Sequence, residues 1–174
     1  MGSNMILTLG AAVLFSSFLA SSNNMMTVNT ETASQNEYNI AALSIAQSVI
    51  DEAKTKVFDE NAPKGVSITS PTSFVNNGTL GPDLNETVPS PDILTSSGYS
   101  SMTKFDDVDD YNKYKRTVNT QRAEGYNINV TVAYASETFP DSVKSTQTYC
   151  KKMTVTVTSK FTGGPVTLSY AFIY

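Results

Sequence analysis

Histidine is missing from this sequence altogether, and cysteine occurs once, at Cys150. A single cysteine excludes an intramolecular disulfide, and without histidine no Cys/His zinc site can be assembled. The missing imidazole also removes the usual general base, so Ser-His-Asp and Cys-His mechanisms are excluded within one chain. No familiar nucleophile motif and no phosphate-cradling Gly-rich loop occurs. The expectation is therefore a non-enzymatic protein that uses no cofactor. Charge is scarce as well: no Asp, Glu, Lys or Arg stands between Met1 and Thr30, and no proline precedes Pro63.

The 174 residues allow one domain, or one domain with a long helix, but not two full domains. Twelve Lys and Arg against sixteen Asp and Glu give a net charge of −4. That balance argues against a nucleic-acid partner, because nothing would neutralise a run of phosphates. Ser, Thr and Asn make up much of the remaining polar surface, a composition common outside the cell.

Met5 to Ala20 reads MILTLGAAVLFSSFLA, nearly continuous apolar sequence. As a helix it is about 24 Å long, slightly short of the ~20 residues that span a bilayer comfortably. A cleavable secretory signal would need a basic start, and Phe18 sits where a small residue is wanted before cleavage after Ala20. A plain signal anchor would carry flanking positive charges. A mature chain whose basic leader has been removed accounts for the missing charges best. From Ser21 to Thr32, SSNNMMTVNTET has poor helix propensity. Two alternatives stay open there, a helix running on to about Phe58 or a loop between two helices.

Ser34-Gln35-Asn36-Glu37 has the form of a capping box and predicts a helix restarting at about 34–58. Ile40, Leu43, Ala46, Ile50, Ala53 and Val57 recur at helical spacing and predict its core face. Asn61-Ala62-Pro63-Lys64-Gly65 predicts the stop, followed by a loop-rich connection over 61–105 with short strands near Val66–Ile68 and Leu94. Three period-two ladders follow: Tyr126, Ile128, Val130, Val132 and Tyr134; Met153, Val155 and Val157; and Val166, Leu168, Tyr170, Phe172 and Tyr174. They predict an antiparallel sheet over about 126–174 with one buried face, covered by the amphipathic helix. Asp106, Asp107, Asp109 and Asp110 are the candidate Ca²⁺ ligands. Their alternative is a solvated turn in which Asp side chains cap backbone amides and pair with Lys113, Lys115 or Arg116. Cys150 reads as an inert residue at a strand edge.

The expected fold class is thus α+β. A hydrophobic half-helix over 1–30 projects, and a globular head over 31–174 packs its amphipathic helix on a small antiparallel sheet. Because the apolar half has nothing in its own chain to pack against, it must enter lipid or meet other copies. Met5, Ile6, Leu7, Leu9, Val13, Leu14, Phe15, Phe18 and Leu19 are the candidate assembly residues.

The apolar start MGSNMILTLGAAVLF, the second amphipathic helical stretch and the β-rich C-terminal half resemble the type IV pilins and pseudopilins. The stretch Phe105 to Tyr114, FDDVDDYNKY, is similar to one in some minor pilins of the MSHA type. The resemblance covers most of the chain as an architecture. It departs at the usual glutamate of the fifth mature position, where Met5 stands, or Leu7 if cleavage followed Gly2. It implies a structural subunit of an extracellular filament, polymerising with copies of itself through the N-terminal helix. The further partners it implies are the inner membrane before assembly, a prepilin peptidase and the pilus assembly machinery. A pseudopilin of a type II-like secretion system and a membrane-anchored β-rich binding domain that does not polymerise are the alternatives.

Overall fold

The computed structural model describes residues 2–63 and 65–174. The chain divides into two compact units, Met1–Glu37 and Tyr38–Tyr174. It is α+β: one long helix, α1 (Gly2–Ala53), followed by a five-stranded sheet and short helical turns. The polar stretch from Ser21 to Thr32 is helical throughout. Its threonines turn their hydroxyls back onto the helix, Thr27 Oγ1 donating to Asn23 O, Thr30 to Met26 O and Thr32 to Val28 O at 2.8–3.1 Å. Hydroxyls that bond inward in this way no longer compete for the backbone from outside the helix. The capping-box expectation is corrected by the same continuity. Ser34 and Glu37 lie mid-helix, so the N–H groups a cap would satisfy are already bonded.

The helix also ends earlier than expected, at Ala53 rather than near Phe58. Lys54 N–H still reaches Ile50 O, but Thr55 and Lys56 tighten onto Glu52 O and Ala53 O. Val57 is then taken up by another segment. Its N–H donates to Asp106 O, and its carbonyl accepts Val108 N–H, both at 3.0 Å.

Within the second unit the sheet order is β1 (Asp92–Ile93), β2 (Lys115–Val118), β3 (Tyr126–Tyr134), β4 (Cys150–Thr158), β5 (Val166–Ile173). The three expected ladders are β3, β4 and β5, antiparallel neighbours in chain order. Two short strands extend the sheet: β2 antiparallel to β3, and β1 parallel to β2. The sheet is therefore mixed rather than purely antiparallel. A strand does form beside Leu94, whereas Val66–Ile68 is irregular. Register sets the rows Ile128–Val157–Val166, Val130–Val155–Leu168 and Val132–Met153–Tyr170 on one face, and Thr131–Thr154–Ser169 on the other.

The apolar face packs on α1 through Ala42, Ile45, Ala46, Val49, Ile50 and Ala53, all buried. Their i, i+3, i+4 spacing is one stripe of the helix. It sits beside the stripe the sequence predicted: Ala46, Ile50 and Ala53 are shared, but Ile40 and Leu43 are 64% and 46% exposed. Ala42 takes the contact in place of Ile40 and Leu43, because a methyl lets the helix backbone approach the sheet where larger side chains would hold it off. A second cluster gathers Ala62, Phe74, Leu80 and Tyr134 with Phe58 and Tyr149. Deleting buried volume in the stripe should cost about 2–5 kcal/mol for Ile50→Ala, against less than ~1 kcal/mol for Leu43→Ala at the exposed position. Urea unfolding of the two variants checks this, and equal losses would contradict the observed helix register.

Candidate functional site

In the first unit the candidate assembly residues share one property, exposure. Met5, Ile6, Leu7, Leu9, Val13, Leu14, Phe15, Phe18 and Leu19 are all between 47% and 76% exposed. Met25, Met26 and Val28 continue the apolar surface at 51–69% and were missed by sequence reasoning, although the uncharged run to Thr30 already reached them. Some of the hydroxyls in the stretch are closed internally. Thr8 Oγ1 donates to Met5 O at 2.9 Å, and Ser16 Oγ to Ala12 O at 2.8 Å. An apolar helix that bonds hydroxyls such as these to its own carbonyls suits a non-aqueous surrounding, where unpaired polar groups are costly. The uncharged part of α1 from Gly2 to Thr30 is about 43 Å long at 1.5 Å per residue, against a hydrocarbon core of ~30 Å. Helix α1 is long and apolar enough to cross a membrane, and none of its most apolar window is buried.

In the second unit the unusual feature is charge placed inside the core. Glu52, in the last turn of α1, accepts from Ser101 Oγ at 2.6 Å and Tyr111 OH at 2.9 Å through Oε1. Its Oε2 takes Arg116 Nη2 at 2.5 Å. Arg116 Nε donates to Tyr114 OH at 2.8 Å, and that hydroxyl donates to Asp92 Oδ2 at 2.8 Å. Asp92 in turn accepts the N–H groups of Ser100 and Ser101 at the start of the short helix α2 (Ser100–Lys104). The guanidinium also lies 3.9 Å over the Tyr99 ring. One network thus joins α1, α2, β1 and β2. Burial pushes the hydroxyls of Tyr111 and Tyr114 upward, so both remain donors.

The second network centres on Lys151 of β4, which is wholly buried. Its Nζ donates to Phe58 O at 2.8 Å, Asp59 Oδ2 at 2.7 Å and Asp109 Oδ1 at 2.5 Å. Asp59 also accepts the N–H groups of Asn61 and Val75. The Asp run is therefore built inward, not as a solvated turn. Asp107 Oδ1 accepts the N–H of Asp109 and Asp110, while Asp110 Oδ2 accepts those of Asp106 and Asp107. The predicted capping is present, but the cation on Asp109 is Lys151, and Arg116 is engaged with Glu52. Sequence pattern could not supply this partner, because Lys151 sits in β4 beside a second lysine that points to solvent and pairs with Asp141.

Asp106 alone of the four faces outward. Among the described residues, Glu60, Glu86 and Asp106 bring carboxylate oxygens within 4.8 Å of one another. Burial, then the charges of Asp106, Glu86 and Asp83, raises the Glu60 carboxyl. This acidic surface is the arrangement nearest to a hard-cation site. Comparison of the chain with protein-family models, with curated proteins and with solved structures gave no match.

The inward carboxyls set a pH dependence. Burial, with the neighbouring Asp109 and Asp110 charges second, pushes Asp107 up to about 9, and burial pushes Asp110 up to about 7. A carboxyl raised on folding binds its proton more tightly in the native state, so its contribution is full below about pH 4 and is lost as pH rises toward 9. These two groups therefore make the head less stable as pH rises from about 4 to 9. Urea midpoints across that range should fall for the native chain and fall less for Asp107→Asn. Removing the cation of the other network, Arg116→Ala, strands a buried Glu52 and should cost about 3–5 kcal/mol.

Proposed function

We propose that the chain is a structural subunit of an extracellular type IV pilus-like filament, and that it polymerises through its hydrophobic N-terminal helix. One observation carries the reading: a continuous uncharged helix whose large apolar side chains, Met5 to Val28, are exposed in the single chain. Leaving that surface in water is unfavourable by about 25 cal/mol per Å², and contiguous apolar patches of such extent mark interaction surfaces. Lipid holds the helix before assembly. Identical helices cover it afterwards, through head-to-tail contacts that propagate rather than close.

The α+β head and the resemblance in sequence architecture support the same reading. On it the partners are further copies of the chain, the inner membrane, a prepilin peptidase and an assembly machine. The chain has no catalytic role in this reading, and the charges buried in the head serve packing. In this reading, registry between copies rests on apolar packing of residues such as Leu9, Val13 and Phe15.

Material sheared from the native cell surface, viewed by electron microscopy with intact-mass measurement of the subunit, tests the proposal. Helical filaments containing this chain are expected. Membrane-bound monomers alone would overturn it in favour of an anchored binding domain, and short periplasm-bound filaments would favour a pseudopilin. In the same assay Leu14→Lys places a charge at the helix centre, at a cost of about 2.5–3.5 kcal/mol. Filament yield should fall about a hundredfold while the head remains folded by circular dichroism.

A further inference from the structure

Lys151 and its neighbours are placed for a reaction as well as for an ion pair. The ammonium is wholly buried, with the Phe58 ring 4.8 Å and the Tyr134 ring 5.4 Å from Nζ. It faces two carboxylates, Asp59 at 2.7 Å and Asp109 at 2.5 Å, and the Asp107 carboxyl lies against Asp109. Each ion held away from water costs several kcal/mol, and one cation cannot neutralise two anions. Condensing one pair to an amide removes two buried charges and leaves the casing of Phe58, Phe74 and Tyr134 intact. In water the ammonium and the carboxylate would both be solvated. Here both are desolvated and held in contact, which supplies the proximity that such a step requires.

We propose that Lys151 Nζ and Asp109 Cγ become joined by an intramolecular isopeptide bond, formed in the folded head by the side chains that surround them. Asp59, held by the N–H groups of Asn61 and Val75, takes one proton from the ammonium. The freed lone pair attacks Asp109 Cγ while Asp107 donates a proton to an Asp109 oxygen. A second nitrogen proton returns to Asp107, and the hydroxyl leaves as water with the proton held on Asp59. One C–N bond forms, one C–O bond breaks, one water is lost, and Asp59 and Asp107 end as they began. Asp107 suits its part because burial raises its carboxyl, so it carries a proton at neutral pH.

The bond would tie the turn Asp109–Tyr111 covalently to strand β4.

Mass spectrometry of the intact full chain, purified folded and then denatured, is the test. The expected mass is that of the sequence less one water, and trypsin should release a branched peptide joining Lys151 to Asp109. Lys151→Arg and Asp109→Ala should restore the full sequence mass, and so should Asp107→Asn if that carboxyl delivers the proton. Full mass in the folded native chain would overturn the proposal whether or not any variant folds. A water loss without a branched peptide, or a branch at Asp59, would overturn it equally.

Discussion

The close approach of α1 to the sheet through Ala42, Ala46 and Ala53 is the contact on which the rest of the head depends. Small side chains let the helix backbone sit low over the sheet, so that Val49 and Ile50 share one core with Val130 and Val155. That depth carries Glu52, one residue before the helix ends, below the surface to meet Arg116. The helix could have continued past Ala53 by propensity alone. It stops because Val57 gains a strand-like pairing with Asp107 that positions the Asp run against β4.

Both buried networks follow from this geometry. Each attaches an irregular segment to the regular core, α2 and β1 through Arg116 and the Asp107–Asp110 turn through Lys151. The connection from Ala62 to Phe105 has little secondary structure and few apolar anchors, among them Phe74 and Leu80. Charged hydrogen bonds are directional, so they fix where such a segment sits in a way apolar contact does not. A covalent Lys151–Asp109 link would carry the same logic further.

The first unit presents the opposite chemistry. Its large side chains are apolar, hydroxyls such as Thr8 and Ser16 bond to its own backbone, and it carries no charge before Glu31. Before Glu31 nothing discriminates among partners by charge, which fits the proposed passage from lipid to identical helices.

The fold class and much of the architecture could be read from sequence because they rest on local periodicity. Alternation at 126–134, 150–158 and 166–173 specified three strands and their buried face, and the uncharged apolar run specified a helix with no cover of its own. The α1 stripe was misread by part of a turn, since Ile40 and Leu43 are more hydrophobic than Ala42 and only the sheet's proximity rewards a small residue. The capping box at Ser34 was a local signal overruled by a helix already running through it. The Asp run announced itself as carboxylates and backbone caps, but its cation lies some forty positions away on β4. Such pairings are decided by tertiary structure alone, because burial, which gives Lys151, Arg116, Asp59 and Asp109 their partners and their energetics, depends on residues remote in sequence.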